Sequence, residues 1–273
     1  MDRIVVLIKQ VPDMEAVKFD RERGVIDRNS AGTEINPFDL NALEAAVQIS
    51  ESTGAEVFVV TMGPPSAKEA IREAIARGAS DGVLLSDRRF GGSDVKATSR
   101  TLSAAIRQTG PFSLILAGMQ TVDGDTGQVG PEIAQMLEIP HAGYAESIDA
   151  VDDSQITITT RIWDGRFQKQ LTYPVLVTVT KDVASPRLPS LKSKMKARKA
   201  EIKMLNLDDL AGFLTEEETG LKGSATMVRK IVIPQIAQRA GSVFRDDLPR
   251  AVDSLLAVFQ EMKVLEVDHD ERV

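Results

Sequence analysis

Arg3-Ile4-Val5-Val6-Leu7-Ile8-Lys9 opens the chain as a continuous aliphatic run, the pattern of a strand covered on both faces. Residues 10–35 are polar and turn-rich. Asn36-Pro37-Phe38-Asp39 then begins a helix, because Pro37 suits a first turn and Leu40, Leu43, Ala46, Val47 and Ile49 follow at helical spacing. Gly54 ends it. The same alternation repeats: strand 56–61, a Gly63–Ser66 turn and helix 67–77; strand 82–86 and a helix over about 94–108; strand 112–117, a glycine-rich loop and a helix running to Glu138. Four strand–helix units in series predict a parallel, doubly wound α/β sheet, since right-handed crossovers place helices on both faces.

The period then changes. Gln155 to Trp163 alternates, with Ile156, Ile158, Thr160 and Ile162 on one face. Asp164-Gly165 reads as a hairpin turn into Phe167–Tyr173, and Val175–Val179 as another buried strand. An antiparallel hairpin therefore extends the first domain, which we place at 1–184. Residues 185–273 lose the core pattern and read as an arm. Within it Thr226–Ile233 suggests a short strand, and Leu248, Ala251, Val252, Leu255, Leu256, Phe259 and Met262 form the stripe of a terminal amphipathic helix.

Composition narrows the chemistry. Among 273 residues there is no cysteine, which excludes disulfides, thiolate metal sites and cysteine nucleophiles, and fits a cytoplasmic location. His141 and His269 are the two histidines, so imidazole catalysis and metal binding have little to work with; His141, beside Pro140, reads as a loop residue. A net charge of −7 argues against nucleic-acid binding, and no apolar run approaches the ~20 residues of a membrane span. Any hard chemistry is expected from a cofactor.

The segment Gly118-Met119-Gln120-Thr121-Val122-Asp123-Gly124-Asp125-Thr126-Gly127-Gln128-Val129-Gly130-Pro131 joins the fourth strand to a helix N-terminus. In open parallel sheets ligands collect outside the carboxyl ends of the strands, and a helix N-terminus favours an anion there. Asp125 or Thr126 is expected to cap the helix. A glycine-rich turn with an ordinary cap is the plainer alternative. Gly91-Gly92-Ser93-Asp94 is a poor match to the pyrophosphate loop of adenylating enzymes, and a helix cap at Ser93 or Asp94 is the preferred reading. Lys192, Lys194, Lys196, Arg198 and Lys199 put five basic residues in eight positions without an acid, a solvated face or a docking surface for an acidic partner.

Taken in order, Val5–Val11, Asn36-Pro37-Phe38-Asp39 with Ala42 and Glu44, Met62-Gly63-Pro64, Gln120 through Pro131, and Leu191 with Met195–Lys199 resemble the β subunit of electron-transfer flavoproteins, nearly the whole chain to about residue 233. The resemblance implies an adenine-nucleotide-binding, Rossmann-like fold. It also implies a heterodimer with a larger α subunit that carries the electron-delivering FAD. Ordinary members hold AMP in the β subunit; the matching positions here are Leu7, Asn36, Pro37, Phe38, Asp39, Met62 and Gly118 through Val129. Leu191 matches the leucine of a recognition loop that inserts into acyl-CoA dehydrogenase partners, beside Lys192, Lys194, Met195, Lys196, Arg198 and Lys199.

Three stretches look like the electron-bifurcating subgroup, which binds a second FAD in place of AMP: Asp123–Thr126 with Gln128–Pro131; Ser86–Phe90 with Gly92, Asp94, Ala97, Thr98 and Ser99; and Gly220–Ser224. FAD is therefore the expected ligand, with AMP the alternative. The resemblance then implies NADH as donor, a ferredoxin or flavodoxin as low-potential acceptor, and an acyl-CoA dehydrogenase or quinone-linked partner. Met119 stands where the family usually carries Lys or Arg.

Overall fold

The opening aliphatic run forms β1 (Arg3–Leu7), with Ile4, Val5 and Val6 almost fully buried. In the computed structural model the described residues are 1–13, 18–20, 25–27, 32–227, 229, 244 and 247–263. Residues 10–35 contribute four short strands, β2 (Gln10–Pro12), β3 (Lys18–Asp20), β4 (Val25–Asp27) and β5 (Thr33–Ile35), pairing β2 with β5 and β3 with β4. Helix α1 (Pro37–Thr53) starts on Pro37 and stops at Gly54. Then follow β6 (Glu56–Met62), α2 (Lys68–Arg77), β7 (Asp81–Leu85), α3 (Val95–Thr109), β8 (Leu114–Gly118) and α4 (Val129–Leu137).

Three further strands were expected and four are present: β9 (His141–Val151), β10 (Gln155–Ile162), β11 (Gly165–Thr172) and β12 (Val175–Val179). His141, read as a loop residue, begins β9. The hairpin turn is Trp163-Asp164, one residue earlier than expected, because Ile162 pairs with Gly165. Ile156, Ile158 and Thr160 are buried, whereas Ile162 is exposed where the ladder meets the turn.

These strands form one nine-stranded sheet in the order β11-β10-β9-β12-β8-β1-β6-β7-β13, the last being Lys203–Leu205. From β9 to β13 every neighbour is parallel; β10 and β11 continue it antiparallel. Helices α1 and α2 cover one face through Leu43, Val47 and Ile71, and α3 and α4 the other through Leu102, Ile106 and Ile133. The doubly wound α/β class is what the alternating pattern predicts.

Residues 185–227 pack on this body. After α5 (Leu191–Arg198), β13 adds to the sheet edge beside β7, and Leu205, Leu207, Leu210 and Leu214 join the α3–α4 core. A short helix, α6 (Gly220–Gly223), follows, and the compact unit runs from Met1 to Met227. The second unit, 228–273, contains α7 (Leu248–Glu261). Its apolar stripe matches the expected spacing, and none of its residues is buried. Of the expected strand at 226–233, residues 226, 227 and 229 are not in a strand; the other positions lie outside the described residues. No described helix is long and apolar enough to cross a membrane.

Candidate functional site

Chain order makes β1 the switch point: the path runs from β1 outward through β6 and β7, then returns to β8 on the other side of β1. A cleft of about 350 Å³ opens there, at the carboxyl ends of β8, β1 and β6. Two helix N-termini border it, α3 with Ser93, Asp94, Val95 and Thr98, and α4 with Gln128, Val129 and Gly130. Its floor includes Leu7, Val60, Met62 and Ala117. The volume lies within the range of small-molecule sites, roughly 300–1,000 Å³.

The start of α1 holds this floor together. The Asn36 backbone N–H donates to the Lys9 carbonyl at 2.8 Å. Its side-chain amide donates to the Gln120 carbonyl at 2.9 Å and accepts from the Val122 N–H at 3.1 Å. The Asp39 carboxylate accepts from the Lys9 N–H at 2.8 Å and from the Gly118 N–H at 3.1 Å. Two side chains one helical turn apart thus fasten the end of β1 to the end of β8. Burial pushes the Asp39 carboxyl up to about 7, against hydrogen bonds from Asn36, Lys9 and Gly118 that hold it down.

Asp125 does not cap α4, and Thr126 accepts only a long contact, 3.5 Å, from the Gln128 N–H. Gln128 is the N-cap residue and makes no side-chain cap. The first N–H groups of α4 therefore face the cleft side without a side-chain acceptor, which suits an anion. Asp125 takes a left-handed backbone at φ 55 and accepts from the Gln120 side chain instead. At α3 the cap is conventional: Asp94 accepts from the Ala97 N–H at 3.0 Å, as the cap reading of Gly91–Asp94 expects.

Of the positions singled out from the sequence, the cleft gathers Leu7, Asp39, Met62, Gly118, Met119, Gln120, Thr121, Gly124, Thr126, Gly127, Gln128 and Val129. Asn36, Pro37 and Phe38 stand behind it: Asn36 is fully occupied in fastening the loop, Pro37 is exposed and Phe38 is half-buried against Gly118. Val122, Asp123 and Asp125 lie on the exposed part of the loop. Ser93, from the Gly91–Asp94 loop, and Thr98, from the second bifurcating-type stretch, also line the cleft, as do Lys9 and Val95, which were not singled out as site positions from the sequence. Their signal was topological, since each follows or faces the carboxyl end of a central strand. Lys9 is the cation of the lining, and its ammonium reaches Asp123 at 2.6 Å. Burial raises the Asp123 carboxyl, but the Lys9 ammonium and the Thr121 hydroxyl outweigh it and hold it below the usual range. Among the described residues no group of three or more His, Cys, Asp or Glu could hold a metal ion.

The basic run forms α5, capped by the Ser190 hydroxyl on the Ser193 N–H at 3.1 Å. Ala197 is buried, while Leu191 is 76% exposed and Lys192, Lys194, Met195, Lys196, Arg198 and Lys199 are also exposed. The segment leading into it is fixed by Arg187, which donates to Glu44 at 2.8 Å and 3.0 Å and pairs with Glu51. Asn41 further donates to the Lys181 and Ala184 carbonyls.

Residues 23–210 match the electron transfer flavoprotein domain family. The chain is 40% identical to an electron transfer flavoprotein subunit beta of Thermoanaerobacterium thermosaccharolyticum, over 93% of this chain and 96% of the relative. It is 39% identical to the subunit of the same name from Megasphaera elsdenii, over 96% and 99% of the two chains. It is equally 39% identical to the caffeyl-CoA reductase–Etf complex subunit CarD of Acetobacterium woodii, over 96% of this chain and all of the relative, 100%. A family domain across most of the chain and end-to-end likeness to β subunits accompany the cleft at the switch point: the chain belongs to the electron transfer flavoprotein family, alongside its β subunits.

Proposed function

We propose that this chain is the β subunit of a heterodimeric electron transfer flavoprotein of the bifurcating kind and that its cleft binds FAD. The observation that carries the reading is the extent of the cleft, which runs from the open N-terminus of α4 across three strand ends to the first turn of α3. The two ends differ in chemistry. At α4, the free N–H groups of Val129 and Gly130 and the Lys9 ammonium would hold a diphosphate. At α3, Thr98 offers a hydroxyl, while Leu102, Val60 and Met62 offer an apolar wall for a flat ring system. Gly124 and Gly127 keep side chains out of the loop between them.

When bound, a flavin would supply the redox chemistry, two-electron uptake from NADH and one-electron transfer both towards a ferredoxin- or flavodoxin-type acceptor and, through the α-subunit FAD, towards an acyl-CoA dehydrogenase or quinone-linked partner. The protein contributes position, charge and docking. Lys9 supplies a cation that Met119 does not. Leu191, the exposed first residue of α5, would serve as an apolar anchor among lysines that would steer an acidic partner. The name of the relative from a caffeyl-CoA reductase complex supports a partner acting on a CoA ester.

A conventional subunit holding structural AMP is the second reading. It is favoured by Asp94, whose carboxylate occupies the α3 end and leaves one open helix terminus, enough for a mononucleotide. Anaerobic titration of the αβ heterodimer with NADH separates them. In the bifurcating reading NADH reduces flavin in the wild type, and Thr126→Val with Gln128→Leu abolishes that reduction. Reduction unchanged by the double substitution contradicts the assignment.

A further inference from the structure

Two stretches far apart in sequence, 86–94 and 219–226, form a single clasp beside the cleft. The Thr219 hydroxyl donates to the Arg89 carbonyl at 2.9 Å, and the Gly220 N–H donates to the Ser93 hydroxyl at 3.1 Å. Ser93 in turn donates to the Phe90 carbonyl at 2.7 Å. Gly220 lies so close that a Cβ would stand 2.1 Å from the Arg89 carbonyl oxygen, and its φ of 54 is a left-handed backbone. The Asp94 N–H donates to the Ser224 hydroxyl at 2.9 Å, which itself donates to the Gly220 carbonyl at 2.7 Å.

Asp94 closes the clasp. One carboxylate oxygen caps α3 through the Ala97 N–H. The other accepts three donors, the Ala225 N–H at 2.7 Å, the Thr226 N–H at 2.8 Å and the Thr226 hydroxyl at 3.0 Å. The compact unit ends one residue later, at Met227. Ser93, Asp94, Val95 and Thr98 are at the same time one wall of the cleft.

We propose that Asp94 is a positioning residue that makes the α3 wall of the cleft and the root of the 228–273 segment one mechanical piece, so that a nucleotide in the cleft tightens the hold on residues 224–226. A ligand that fixes the first turn of α3 fixes the carboxylate on which the root hangs. By linkage, a root held in place favours the ligand by the same factor. The clasp also accounts for why the Ser86–Asp94 and Gly220–Ser224 motifs occur together: each supplies half of the same set of hydrogen bonds. The inference rests on the nucleotide cleft proposed above, and holds whether the nucleotide is FAD or AMP.

Hydrogen exchange of the Ala225 and Thr226 amides in the αβ heterodimer tests it, with the nucleotide retained and after its removal, the released nucleotide being identified by chromatography. Exchange there reports local opening, so emptying the cleft is expected to speed it at least about fivefold while the Ile115 and Leu116 amides of β8 stay protected. Asp94→Asn is expected to make exchange fast in both states, collapsing the ratio towards one. A merely destabilising change would speed both and keep the ratio. If that variant does not fold, Thr226→Val removes one of the three donors and is expected to lower the ratio. A wild-type ratio near one, or a wild-type ratio retained in the variant, overturns the proposal. Release of AMP instead of FAD would contradict the cofactor assignment and leave the exchange ratio to decide the role of Asp94.

Discussion

A Cβ on Gly118 would stand 2.4 Å from the Asp39 carboxylate oxygen to which the Gly118 N–H donates, and 2.7 Å from the Phe38 Cβ. The end of β8 and the start of α1 are therefore in contact with no room between them. Gly118→Ala forces α1 away from the floor of the cleft. Overpacking of this kind costs about 1–3 kcal/mol. The expected result is a lower urea midpoint together with loss of bound nucleotide, read by denaturation and by nucleotide released on precipitation.

Asp39 gives the cleft a pH dependence with a definite sign. Its carboxyl is raised from 3.8 to about 7 by burial, so the folded protein holds a proton that the unfolded chain has lost. The stability this contributes is fully present below the unfolded value and disappears as pH rises through about 7. Above that, a buried negative charge lies under a cleft proposed to bind phosphates. Nucleotide retention is expected to weaken between pH 6 and 8, by about tenfold for a change of one charge at close range in a partly dry site. Asp39→Asn is expected to flatten the profile; equilibrium dialysis at several pH values reads it.

How much of this was legible in the sequence depends on how each element is stabilised. The central strands and α1 to α4 were readable because their apolar positions are buried along their length and Pro37 and Gly54 mark the ends of α1. Strand β9 was missed because His141–Val151 interleaves buried and half-exposed positions without a clean alternation, and its pairing with β10 carries two register shifts. β13 has three residues, and α5 carries a basic face with Ala197 its one buried residue, so neither offers a periodic stripe. In the site, the glycine-rich loop was readable as a loop at a helix N-terminus. Lys9 was not, since a lysine closing a strand looks ordinary until the strand order puts it at the switch point. The division of labour in Asn36–Asp39, with Asn36 bracing and Asp39 lining, arises only where the fold brings the end of β8 against the start of α1.

Lys9 separates binding from stability. Its pair with Asp123 is partly open to solvent, so its contribution to folding is below about 1 kcal/mol. Lys9→Met is expected to leave the urea midpoint nearly unchanged while weakening nucleotide binding about tenfold, the scale of one charge-assisted contact to phosphate. A large drop in stability with unchanged affinity would assign Lys9 to the scaffold.

Leu191 tests the docking surface. Because its side chain is 76% exposed, Leu191→Ala is expected to leave the thermal midpoint unaltered. With an acyl-CoA dehydrogenase as electron acceptor or donor, kcat/KM is expected to fall about tenfold or more, chiefly through KM, as for an apolar anchor at the centre of an interface. Lys192→Gln with Lys196→Gln is expected to reduce the salt dependence of the same rate. A kcat/KM unaffected by either change places docking elsewhere on the molecule.

In the proposed function, the cleft at the switch point holds a flavin. Counting the cofactors released from the purified αβ heterodimer, by absorbance and chromatography, tests it most directly. Two FAD and no AMP per heterodimer is the predicted result; one FAD and one AMP would contradict it and make this chain a scaffold for the flavin of its partner.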